Sequence, residues 1–201
     1  SGRIGYTGMN RRGYMRNGMA PNNSQGKSGT ANFLDGGVKG SLNVDMGRGH
    51  AFSIGAGYEL RAPMANTAFI SPEISNDFVT NLKNERIFSS EFSYQYRNAW
   101  LSANVSGYYS RLENVTEWQN FYNDDENSFT YVSMTGLKKE YYGVEVGAKI
   151  KLTSWLDLKT LGAMSEAKNI NNVNAVYMLS KSAEVYQDKA YVMNMRESGT
   201  P

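Results

Sequence analysis

From Leu34 to Met46 the chain alternates without a break. Leu34, Gly36, Val38, Gly40, Leu42, Val44 and Met46 form one set, and Asp35, Gly37, Lys39, Ser41, Asn43 and Asp45 form the other. A period of two places the sets on opposite faces of a strand, one apolar and one polar. After Gly47-Arg48-Gly49-His50 the pattern resumes with Phe52, Ile54, Ala56, Tyr58 and Leu60 against Ser53, Gly55, Gly57, Glu59 and Arg61, which predicts a hairpin.

Two further hairpins repeat the arrangement. Phe88, Ser90, Phe92, Tyr94 and Tyr96 lead to a turn at Arg97-Asn98 and an answering strand with Ala99, Leu101, Ala103, Val105, Gly107 and Tyr109. Tyr142, Val144, Val146, Ala148, Ile150 and Leu152 lead to a turn at Thr153-Ser154 and a return through Leu156, Leu158, Thr160 and Gly162. A weaker strand is predicted near 190–195. The short turns at 47–50, 97–98 and 153–154 alternate with long links at 64–86, 113–128 or beyond, and about 165–186, so long and short connections fall at opposite ends of the sheet.

These strands exceed the roughly 5–6 residues of ordinary globular strands and suit a tilted bilayer crossing. The fold class predicted is all-β: an antiparallel up-and-down transmembrane β-barrel segment of about seven or eight long strands, with short periplasmic turns and long extracellular loops, forming a partial barrel. Mean hydropathy of −0.53 does not oppose this, because alternating strands average towards neutral. No apolar run reaches the ~20 residues of a membrane-spanning helix, and the first residues carry no secretory h-region. A soluble β-sandwich or solenoid is the competing architecture.

Composition removes several function classes. There is no cysteine and one histidine, His50, so thiolate metal sites, disulfides and two-histidine motifs are absent; no metal or cofactor is expected. A net charge of +2 gives no global field for nucleic acid. His50 lies in a short turn without an evident nucleophile, so enzymatic activity is not expected.

Several residues then resemble a family. Tyr58-Glu59-Leu60-Arg61-Ala62-Pro63, Asn81-Leu82-Lys83-Asn84-Glu85 and Glu91-Phe92-Ser93-Tyr94-Gln95-Tyr96 resemble, in order, the "RAP" strand end, the "N-x-L-K-x-E" segment and the "E-x-x-Y-x-Y" strand of TonB-dependent outer-membrane receptors. Gly143-Val144-Glu145-Val146-Gly147 resembles the family's later "G-V-E-L-G" strand. The resemblance covers roughly residues 30–165. It implies part of a receptor in the Gram-negative outer membrane that imports a scarce ligand, such as a siderophore, oligosaccharide, peptide or vitamin. It further implies a 22-strand barrel around a plug through which the TonB energy-transducing complex acts. The chain is then expected to be a C-terminal part of that barrel, with the plug and last strands outside it. The alternative is a small self-contained barrel serving as an anchor or adhesin.

Within this frame residues 1–30 are expected to be a basic, Gly/Asn-rich extracellular loop region and 31–201 the partial barrel. Arg3, Arg11, Arg12, Arg16 and Lys27 could meet lipopolysaccharide or an anionic ligand, although a solvated loop is the plainer reading. The 113–128 link carries Glu113, Glu117, Asp124, Asp125 and Glu126 without a base. Its Trp118, Phe121, Tyr122, Asp124 and Asp125 are the candidate ligand contacts, since aromatic faces stack on rings and carboxylates meet cations; an exposed acidic loop is the plainer reading. Glu59, Arg61, Glu145, Lys149 and Lys151 share the inward polar face. Tyr94, Tyr96, Tyr108, Tyr109, Tyr141 and Tyr142 are predicted to form an aromatic girdle at the headgroups. The partners implied are membrane lipid and lipopolysaccharide, the TonB complex through the plug, and a small-molecule or oligomeric ligand.

Overall fold

The computed structural model describes residues 1–13, 24–71, 75–181 and 185–197. It contains eleven strands and, among the described residues, no helix. They are β1 (Gly2–Met9), β2 (Arg12–Gly13), β3 (Gly26–Lys27), β4 (Ala31–Gly47), β5 (His50–Arg61), β6 (Glu85–Arg97), β7 (Leu101–Asn123), β8 (Ser128–Lys151), β9 (Asp157–Asn169), β10 (Val173–Leu179) and β11 (Val185–Ala190). One nine-stranded antiparallel sheet runs β1-β4-β5-β6-β7-β8-β10-β11, with β9 also paired to β8; β2 and β3 make a separate two-stranded ladder.

The register carries the two-residue period from strand to strand. Leu42 pairs with Ile54, Ile54 with Phe92, Phe92 with Gly107, Gly107 with Val144 and Val144 with Met164, giving one continuous apolar row. The opposite face is small and polar: Ser41, Gly55, Glu91, Tyr108, Gly143 and Ser165 form the corresponding row. Two glycines on this wall are required by aromatic rings. A Cβ on Gly143 would lie 2.8 Å from Tyr108 Cε1, and one on Gly107 would lie 2.4 Å from Phe92 Cε1.

The apolar face is uncovered. Leu34, Val38, Leu42, Val144 and Met164 are all exposed, whereas buried apolar residues gather at the end of the sheet with the long connections. One cluster comprises Val115, Val132, Met134, Leu137, Val173, Ala175 and Ala190. A second joins Ile70 and Val79 to Tyr131, Val176 and Met178, and a third joins Met9 and Phe33 to Ala68 and Phe69.

The 113–128 segment differs from the expected link. β7 continues to Asn123 and β8 begins at Ser128, so only 124–127 is turn. Alternation there is obscured by two register shifts, between Leu112 and Val115 and between Val115 and Glu117. Asn114 takes φ 60° at this break, and Gly136 takes φ 79° on the facing strand. Asn and Gly tolerate this left-handed conformation best. On the wall side of the break β8 pairs with β9, from Lys139 to Lys151, and beyond it Thr130 to Met134 pair with β10.

The 165–186 segment also differs, since it holds the end of β9 and all of β10. The weak strand expected near 190–195 is displaced: β11 ends at Ala190, and Asn194 to Glu197 return along the edge of β9, with Lys168 bridging to Arg196. Residues 1–30, expected as loop, begin with β1, which pairs along β4 from Gly2–Val38 to Met9–Ala31. Its Gly-rich sequence hides the strand, as glycine contributes little to alternation. Of the basic residues in that segment, Arg16 lies outside the described residues, Arg3 pairs with Glu59, and Arg11 sits 5.3 Å over the Phe69 ring.

Candidate functional site

The wall has two chemically distinct ends. At the short-turn end His50 Nδ1 lies 2.7 Å from the Tyr94 hydroxyl, and its ring is 4.6 Å from that of Tyr96. His50 therefore belongs to an aromatic row. Tyr94, Tyr96, Tyr109 and Tyr142 lie on the apolar face, as the girdle requires, whereas Tyr108 and Tyr141 lie on the polar face. From Phe88 to Tyr96, β6 spans about the 9–11 residues of a bilayer crossing.

The five inward candidates all fall on the polar face. Glu59 pairs with Arg3. Arg61 Nε and Nη2 donate to Glu85 Oε2 at 3.0 and 2.6 Å. This contact joins the "RAP" strand end to the "N-x-L-K-x-E" segment and closes the connection between them. Lys149 pairs with Asp157 at 2.9 Å, while Lys151 is exposed near the short turn. Glu145 and Glu91 line one cavity of about 320 Å³ with Ser53, Ser93, Ser106 and Tyr108. Neither carboxylate has an ion-pair partner among the described residues.

The outer candidates separate. Trp118 packs towards Tyr131, with ring centroids 6.3 Å apart, against the cluster containing Ile70 and Met178. Phe121, Tyr122, Asp124 and Asp125 remain together at the exposed hairpin tip. Tyr122 packs edge-on against Phe129 at 5.3 Å and donates its hydroxyl to Asn127. Glu126 holds Lys181, tying this tip to the end of β10. About half of the surface of each of Phe121, Tyr122 and Phe129 is exposed.

Between wall and tip lies a node that no motif announced. Lys139, 4 % exposed, donates to both Glu117 and Glu197, and the Tyr141 hydroxyl lies 2.9 and 3.0 Å from the two Glu197 carboxylate oxygens. Burial would pull the Lys139 ammonium down, but its hydrogen bonds to Glu117 and Glu197 and their charges raise its pKa overall. Burial would likewise raise Glu197, but Lys139 and Tyr141 hydrogen bonds hold it below the ordinary carboxylate range. Glu117 stands opposite Met134 in the register, so its reach to Lys139 records the bend made by the bulges. The Lys138-Lys139-Glu140 run was the sequence signal available, and it does not reveal which charge is buried.

A sheet with one polar face, one uncovered apolar face, aromatic rows on the apolar side and a packed core only beyond its long-connection end is a wall of a membrane β-barrel. The TonB dependent receptor-like β-barrel family model matches residues 9–190. The chain belongs to that family, which comprises outer-membrane transport receptors. No curated protein and no solved structure matches the chain.

Proposed function

We propose that this chain is part of the barrel of a TonB-dependent receptor in the outer membrane of a Gram-negative bacterium, importing a scarce siderophore, oligosaccharide, peptide or vitamin. The observation that carries the reading is the uncovered apolar row from Leu42 to Met164 in a chain that builds a dry core elsewhere. Lipid and lipopolysaccharide cover that row, and the polar face borders the plug through which TonB delivers energy. The hairpin tip, with Phe121, Tyr122, Asp124 and Asp125, makes the first ligand contact, and Trp118 positions the tip from within its packed base. No step in this reading requires a catalytic residue or cofactor. In the alternative of a small closed anchor the first and last wall strands would pair, but β1 pairs only with β4 among the described residues.

Cysteine labelling of the full-length receptor in intact cells tests this reading. Labels at 38, 42, 146 and 150 should report hydrocarbon, while labels at 39, 41, 145 and 149 should report a hydrated or protein-filled interior. An aqueous setting at the first four positions would refute it.

A further inference from the structure

We propose that a basic row of Arg97, Lys149, Lys151 and Lys159, inside the short-turn mouth of the wall, binds a carboxylate-bearing glycan polymer of the periplasmic cell wall; this rests on the barrel-wall reading above. The register sets Arg97 opposite Ser102, Ser102 opposite Lys149 and Lys149 opposite Lys159, so the row crosses β6 to β9 on the polar face. Lys151 follows Lys149 on the same face and ends β8, as Arg97 ends β6, while Lys159 is the third residue of β9. All four are exposed. The row therefore stands at the rim, where a polymer reaches it without entering the lumen.

Its charges are not balanced within the wall. Lys149 and Lys159 stand directly opposite each other, a placement that like charges ordinarily disfavour. The one acid beside them, Asp157, is opposite Lys151 in the register but is held by Lys149 at 2.9 Å. Arg97, Lys151 and Lys159 have no ion-pair partner among the described residues. Glu145 lies four residues farther up β8, and Asp45, on β4, accepts from Gly47 N at 2.8 Å and is offset by Arg48 in the same turn. Four cations against one carboxylate thus remain at the short-turn end of β6 to β9. Trp100 joins them: Lys151 N donates to Trp100 O at 2.7 Å, which sets these two residues opposite each other, and Trp100 is 57 % exposed. By that register it belongs to the polar face and not to the aromatic girdle. Cations about 5 Å apart on neighbouring strands suit the free carboxylates of peptide stems, and an exposed indole offers a sugar ring an apolar seat. Phospholipid headgroups border the opposite face and do not meet this row.

The test uses the full-length receptor in bilayer discs, pelleted with purified cell-wall sacculi whose carboxylates are either free or amidated. The unaltered receptor should bind the free-carboxylate sacculi about tenfold more tightly, the scale of several exposed ion pairs, and this preference should fade as salt is raised. R97Q/K151Q/K159Q should abolish the preference, K39Q/K83Q/K138Q, which removes equal charge elsewhere, should retain it, and Trp100→Ala should weaken binding to both kinds of sacculi. Equal binding of the two sacculi by the unaltered receptor, equal loss in the two triple variants, or full displacement by polyglutamate at matched carboxylate concentration would each overturn the proposal, the last by assigning the row to an acidic polypeptide. The comparison of the two sacculi needs no variant, so it decides even where a substituted receptor fails to fold. An unaltered receptor that does not enter the discs would instead overturn the barrel wall itself.

Discussion

The wall and the outer sheet treat the same kinds of side chain in opposite ways. Leu137, opposite Val115 between the bulges, and Met178, beyond them, are 0 % and 1 % exposed, while Leu42 and Met164 on the wall are 60 % and 82 % exposed. The outer sheet behaves as a water-soluble domain does, drawing strands, bulges and the 68–70 and 78–82 stretches of the connection before β6 around shared apolar clusters. The wall leaves its apolar face bare over six long strands. One chain has therefore been selected against two solvents, and the border between them runs through Tyr109 and Tyr142 and the row of Arg111, Glu140 and Lys168 that follows them.

The contrast is tested most severely by removing packing where water is the solvent. Leu137→Ala should cost about 3–4 kcal/mol because a fully enclosed side chain leaves a cavity. Urea unfolding of the outer sheet, followed by Trp118 fluorescence, should show it as a lower midpoint. A loss below about 1 kcal/mol would mean that the outer cluster is not a true core. On the wall the sensitive change is charge. Leu42→Arg or Val144→Arg should each cost about 2–4 kcal/mol in a bilayer, whereas Ser41→Arg, one residue away on the polar face, should be tolerated. Folding yield into lipid vesicles, read by heat-modifiable gel mobility, separates the two faces; equal penalties would erase the distinction between them.

Much of the wall was legible because its alternation is nearly unbroken and a one-residue slip would reverse its faces. Glu59, Arg61, Glu145, Lys149 and Lys151 were placed on the polar face by that parity alone. The outer sheet was less legible for a physical reason. The bulges at 112–117 shift the parity of β7, and residues 130–134 of β8 are covered on both faces, so period two disappears where the structure remains strand. The hairpin tip was located by its aromatic and acidic composition, but the division between Trp118, used in packing, and the exposed Phe121 and Tyr122 depends on Ile70, Val79 and Leu82, far away in sequence. Residues distant in sequence also make the Lys139 node: Glu197 arrives from the edge of β9, and nothing local to Lys139 predicts it.

That node gives the finest measure of how firmly the two regions are joined, because it lies beyond the apolar band and couples β8 to both the bent β7 and the returning segment. Glu197 has a lowered folded pKa, so its contribution is fully present above the unfolded value of about 4.3 and is lost as pH falls through the folded value. Lys139 has a raised folded pKa, so its contribution is complete below about 10.4 and is lost only as pH rises through the folded value. Between these limits stability should be flat with respect to this node. Glu197→Gln should remove about 1 kcal/mol at neutral pH, a modest figure because the Glu197 side chain remains 31 % exposed, and it should flatten the acid limb of the curve. Hydrogen exchange of residues 194–197 and 113–117 from pH 3 to 7 would read this directly. An acid limb unchanged by the substitution would mean that packing, rather than the ion pair, joins the outer sheet to the wall.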